Sequence, residues 1–218
     1  ASIQTVMSAV GKATEFSGEL AKIQTLIGNQ PERMKQLAEG IRAISAETGK
    51  STTDIAGAVF ETISAFGDSA ETLDTVKTAA VGAAAGVAET AEATKLASIF
   101  MKNYGDMTAG AAQKALDLAF ITNKLGQTTF EQLAQTMSGV VPIAAQLGVS
   151  QEELFAVYAA LTGTTGDAAA VTTQLKSALF GLSDPAKGAG IKLKELGFAS
   201  AEAAIAEKGL MGTLQAVV

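Results

Sequence analysis

The sequence predicts an all-α protein, a compact multi-helix bundle of roughly ten or more short helices joined by tight glycine turns. Three observations predict it. Apolar residues make up 48% of the 218-residue chain but aromatic residues only 5%, so the apolar content is mostly alanine, leucine, isoleucine and valine. Alanine is the strongest helix former. Apolar side chains recur at spacings of three and four, the period of a helix face. One helix after another stops at a glycine and restarts about two residues later at a cap. Strand signals are nearly absent: no run of alternating β-branched residues occurs, and no Asn-Gly or Asp-Gly hairpin turn.

The first helix is read over Ser2 to Ile27, with Ile3, Val6, Val10, Phe16, Leu20, Ile23 and Ile27 on its apolar face. Gly28-Asn29-Gln30-Pro31 supplies a stop and a restart, with Pro31 in a first turn where its missing N–H costs nothing. A second helix runs to about Thr48 on Met34, Leu37, Ala38, Ile41 and Ile44. A third runs from about Ser51 to Phe66 on Ile55, Val59, Ile63 and Phe66, and Gly67-Asp68-Ser69 breaks it. A fourth starts near Ala70 and reaches the small-residue stretch Val81 to Ala88. Gly82 and Gly86 favour a break there, because each glycine inside a helix costs roughly 1 kcal/mol. Tight packing of one continuous helix is the competing reading.

Helices follow over Glu89 to Tyr104, where Gly105 ends the helix, then to Leu125, where Gly126 ends it, and from Thr128, with Pro142 expected to kink or split the last. Gly148 stops it. Ser150 to about Leu161 and Asp167 to Leu182 are helices. Ser183-Asp184-Pro185 breaks the chain, and a final full helix ends at Gly197. Gly209 to Val218 reads as the start of a truncated helix, and the chain starts at Ala1, so a fragment of a longer chain is expected. Residues 1–218 are read as one domain with a candidate sub-break near 82–88.

Four junctions share one layout. Gly49 precedes Ser51 and Asp54; Gly126 precedes Thr128 and Glu131; Gly148 precedes Ser150 and Glu153; Gly197 precedes Ala199 and Glu202, with the cap hydroxyl missing. The glycine closes a helix in the left-handed conformation. The hydroxyl then caps the next helix, and the acid three residues on completes a capping box while facing the positive end of the helix dipole. With Pro142, these are the candidate structural residues. The glycine spacings are irregular, so the pattern reads as recurrent use of one good turn and not as a solenoid.

Composition excludes several chemistries. There is no cysteine and no histidine, which removes thiolate metal sites, disulfides and the commonest general base. The net charge of −6 with no basic run argues against nucleic-acid binding. No stretch of about 20 mostly apolar residues reads as a transmembrane helix. Gly49-Lys50-Ser51 imitates the end of a phosphate loop, but Ile44 stands where a glycine is needed and no strand precedes it. Glu152-Glu153 point in different directions on a helix, Glu89 and Glu92 read as solvated surface, and Asp68, Asp106 and Asp184 sit in turns too sparse for calcium. The lysines read as exposed. Met7, Met34, Met101, Met107, Met137 and Met211 read as core filler. The Ala79 to Ala91 stretch reads as internal packing, with an oligomer interface as the alternative. No catalytic, metal or cofactor site is expected.

The ordered succession of these segments resembles the core region of phage tail tape-measure proteins of the lactococcal-phage type. Leu37 to Ala56 (LAEGIRAISAETGKSTTDIA) carries part of it, as does the Tyr104-Gly105 junction with the alanine-rich helix that follows. The strongest part is Leu125 to Leu161, through Gly126, Thr128, Glu131, Val141-Pro142, Leu147-Gly148-Val149-Ser150 and Glu153-Leu154. Thr162-Gly163, Leu175, Leu179 and Pro185 continue it, and Phe16 with Glu19-Leu20 is a weaker match. The resemblance covers nearly the whole chain. It implies a non-enzymatic virion protein, assembled in the bacterial cytoplasm, that lies in the tail lumen as a homo-oligomer. Its partners would be the tail-tube protein and tail assembly chaperones. It would scaffold the tube, set tail length and assist genome ejection. Coiled-coil ruler, membrane-active and peptidoglycan-cleaving regions of such proteins would lie outside these residues. The alternative is a helical interaction or effector module without catalysis, unrelated to phage.

Overall fold

The structure, a computed structural model, describes the backbone of residues 3–217 and the side chains from Val10 onward. The expected helix start at Ser2, the apolar positions Ile3 and Val6, the filler Met7 and the last residue Val218 lie outside that description. Among the described residues the chain is all-α. Its elements are α1 (Ile3–Ile27), α2 (Pro31–Thr48), α3 (Thr52–Phe66), α4 (Thr72–Gly86), α5 (Thr90–Tyr104), α6 (Ala109–Leu125) and α7 (Phe130–Thr136). A 3-10 turn (Met137–Gly139) follows, then α8 (Val141–Gln146), α9 (Gln151–Thr165), α10 (Ala168–Ser183), α11 (Gly188–Glu195) and α12 (Ala201–Ala216).

The chain divides into two compact units. The first comprises Ala1–Ser98 with Met107–Leu116, the second Ile99–Asp106 with Asp117–Val218. The division falls within α5 and α6.

In the first unit α1 packs chiefly on α3, and α2 packs on both α3 and α4. Phe16 and Ile23 of α1, Leu37 and Ile41 of α2, Ile55 and Val59 of α3 and Val76 of α4 form its core. These are the i, i+3, i+4 stripes of the sequence, so helical period alone places them. α4 runs unbroken through Gly82 to Gly86, so the break expected in Val81 to Ala88 falls at the far end of that stretch. A Cβ on Gly82 would lie 3.0 Å from Leu116 Cδ1, so the glycine permits close packing inside this unit. Ala79, Ala80 and Ala83 are buried. The break comes at Val87, which closes α4 in the left-handed region with φ 52°.

In the second unit α10 packs on α7, α8, α9 and α11. Phe130, Leu133, Met137, Leu154, Leu175 and Leu179 are buried there. Phe100 stacks on Phe155 with centroids 4.5 Å apart, and the Tyr104 hydroxyl donates to the Val149 carbonyl at 2.9 Å. Burial, with Glu152's charge as a lesser cause, pushes that phenol up to about 12. Pro142 sits in the first turn of α8, directly after the 3-10 turn, and splits the pattern from Thr128. Two expectations change. α9 continues past Gly163 to Thr165 and is closed by Gly166 (φ 68°). Gly163 lies inside the helix, and glycine fits there because a Cβ would press the Leu125 carbonyl at 3.2 Å. Met107 is half exposed, not core filler.

Candidate functional site: the capped helix junctions

The four junctions separate into two kinds. At Gly49 and Gly148 the glycine adopts a left-handed φ of 72° and 77°. Two residues on, Ser51 and Ser150 sit in extended backbone as N-caps, accepting from the Asp54 and Glu153 amides at 3.1 and 3.2 Å. The hydroxyl satisfies an amide that has no partner within its helix.

The acids do something other than close a local box. Asp54 accepts from the Thr90 amide at 2.9 Å and the Thr90 hydroxyl at 2.6 Å, so it caps the start of α5, 36 residues away. Lys50 donates to the Ala88 carbonyl just before it. The lysine that imitated a phosphate loop thus ties down the α4–α5 turn. Glu153 accepts from the Leu210 amide. Leu210 follows Gly209, whose φ of 70° and ψ of 172° interrupt α12, so Glu153 caps the helical segment that restarts there.

At Gly126 and Gly197 the cap lies three residues on, correcting the expected layout. Thr128 is buried and its hydroxyl finds no partner among the described residues. The N-cap is Thr129, which accepts from the Gln132 amide at 3.2 Å while the Gln132 side chain accepts from the Thr129 amide at 3.0 Å, a complete capping box. Glu131 lies in that first turn and accepts from Gln135 at 3.2 Å. Gly126 is absent from the left-handed glycines. It is required by proximity: a Cβ would collide with the Thr162 hydroxyl and lie 3.0 Å from the Thr122 carbonyl and 3.2 Å from Ala159 Cα.

Gly197 is left-handed with φ 89°. The cap thought missing at Ala199 is Ser200, which accepts from the Ala203 amide at 3.2 Å. Its hydroxyl also holds the Glu202 carboxyl below its ordinary value. The Thr129–Gln132 box was legible as Thr-x-x-Gln; the longer spacing from the glycine hid it. Sequence reasoning also missed Asp167, which caps α10 by accepting from the Ala170 amide at 2.9 Å.

Away from the junctions, Arg33 grips Asp68 through two contacts of 2.7 Å and donates to the Ser69 carbonyl at 2.6 Å. Asp68 is thus the partner of a fork, not a bare turn residue. In the second unit an apolar groove of about 350 Å³ runs between α6 and α9, lined by Ile121, Leu125, Glu152, Phe155, Ala156 and Ala160. Among the described residues no three acids come together as a metal group, and no helix is long and apolar enough to cross a membrane.

A chain whose polar side chains chiefly cap helices and tie turns to distant helix ends falls in the class of helical structural proteins. Residues 35–218 match the family of phage-related minor tail proteins, and the chain belongs to that family. No curated protein and no solved structure matches it. Membership fits a structural role in the phage tail, partners among tail proteins and a place in the virion.

Proposed function

We propose that the chain is the core of a tape-measure component of the tail, of the lactococcal-phage type. In this reading it lies in the tail lumen as a homo-oligomer, scaffolds the tail-tube protein with the help of assembly chaperones, sets tail length and assists genome ejection. The observation that carries it is the ordered succession of glycine stops and capped restarts along Gly49, Gly126, Pro142, Gly148 and Gly197, within the stretch that matches the minor tail family. The mechanism is non-catalytic. Short helices joined by tight turns repack between a compact and an extended form, because short turns, many glycines and small side chains keep the cost of repacking low.

Disrupting the gene in its phage and measuring tails by electron microscopy tests the reading. Tails that are missing or of scattered length are the expected result. Tails of uniform, unchanged length would overturn it.

A further inference from the structure

Residues 31–86 and 130–185 align without a gap at an offset of 99 residues, with 13 of the 56 paired positions identical. Six of the identities are turn, cap or helix-packing residues: Gly40 with Gly139, Gly49 with Gly148, Ser51 with Ser150, Gly67 with Gly166, Asp68 with Asp167 and Gly82 with Gly181. Secondary structure keeps the same register. α2 begins at Pro31 and α7 at Phe130, and α3 (Thr52–Phe66) and α9 (Gln151–Thr165) coincide at both ends. Gly67 and Gly166 each close the middle helix at a positive φ, 79° and 68°, with ψ differing at 169° and 6°.

Tertiary contacts repeat as well. A Cβ on Gly40 would meet the Leu73 side chain, and one on Gly139 would meet Thr172 at 3.9 Å. Leu73 and Thr172 are themselves 99 residues apart. Val81 on α4 and Phe180 on α10 hold the same register and are both half exposed. The exchange of one interior cluster is the strongest sign. Leu37 and Val59 belong to the first core, with Leu73 packed against it. Their counterparts are Thr136, Tyr158 and Thr172. The Tyr158 hydroxyl lies 2.9 Å from both threonine hydroxyls and donates to the Ala168 carbonyl at 2.8 Å. Three residues on three separate helices change together from apolar to hydroxyl-bearing, as one shared packing requires.

We infer that 31–86 and 130–185 are two copies of one three-helix module. α2 stands against α7, the 3-10 turn and α8; α3 against α9; α4 against α10. The second copy has a hydroxyl cluster around the buried Tyr158, with Thr136 and Thr172 partly buried, and its first helix is broken where Pro142 replaces the counterpart of Ala43. The junction glycines look irregular in sequence because only Gly49 and Gly148 belong to the repeat register; Gly126 and Gly197 fall outside the aligned segments.

The test transplants the first copy's cluster into the second, in the whole 218-residue chain: Thr136→Leu, Tyr158→Val and Thr172→Leu, alone and together. With shared packing, the triple variant unfolds at a higher denaturant concentration than Tyr158→Val alone. If Tyr158→Val fails to fold while the triple variant folds, the inference is equally supported. Losses that add, or a triple variant that does not fold, overturn it. An experimental structure gives a second reading: 31–86 should superpose on 130–185 in the 99-residue register, and a better fit in another register would overturn the inference.

Discussion

Val59 in the first unit lies in an apolar core with Leu37, and Leu73 packs against that core; at the matching register of the second unit, Tyr158 shares its hydroxyl with Thr136 and Thr172. The difference extends to the turn after the middle helix. Asp68 is held by Arg33, whereas Asp167 caps α10 and the counterpart of Arg33 is Gln132, which completes the Thr129 capping box. The glycine stops and serine caps around these positions stay the same. Turns and caps are fixed by neighbours within a few residues, so they survive a change of interior. An interior is fixed by residues on separate helices, so one member changes only when the others follow.

The comparison breaks most sharply at close-packed glycines. Gly126→Ala in the second unit drives a Cβ into backbone and should cost about 3 kcal/mol by overpacking, read as a lower urea midpoint. Gly40→Ala in the first unit meets the Leu73 side chain and no backbone, and it gains helix propensity of about 1 kcal/mol. It should be near neutral. Equal losses would mean that proximity is not what requires Gly126.

A smaller effect is expected at the interior cluster. Tyr158→Phe keeps the ring and removes the hydroxyl, for a loss of about 1.5 kcal/mol from buried hydrogen bonds. Unchanged stability would show that the cluster contributes nothing net.

The paired acids sharpen the contrast further. Asp68→Asn should cost about 1.5 kcal/mol, because a charge-assisted fork on a guanidinium only about 20% exposed is lost. Asp167→Asn should be close to neutral, since asparagine caps as well as aspartate. Arg33's hydrogen bonds hold the Asp68 carboxyl below its ordinary value. The linked stability is therefore fully present above the unfolded value of about 3.9 and is lost as pH falls from there through the lowered folded value. Acid titration of stability should show this step in the native chain and lose it in Asp68→Asn. A step that persists in the variant assigns it to another group.

The smallest effect should be equal in both units. Ser51→Ala and Ser150→Ala each remove one cap, about 1 kcal/mol, read as faster amide exchange in the first turns of α3 and α9. Unequal losses would show that the two caps are not equivalent.

The all-α class and the stops at Gly28, Gly49, Gly67, Gly105, Gly148 and Gly197 were legible from residue order, since a glycine stop or hydroxyl cap acts within four residues. Ser51 and Ser150 were read for the same reason. Thr128 was misread because two threonines stand side by side and only backbone conformation selects Thr129. Gly163 was misread as a break because its reason lies in a distant segment, at Leu125.

By itself, then, the sequence determined where most helices begin and end, because those signals are mainly local hydrogen bonds and local backbone preference. Only the tertiary structure decided what the acids and the close-packed glycines are for. Asp54 finds Thr90, Glu153 finds Leu210 and Gly126 faces Thr162, partners 36, 57 and 36 residues away. No helical period encodes such distances. They are set by which helices pack together, and that follows from burying apolar surface across the whole unit.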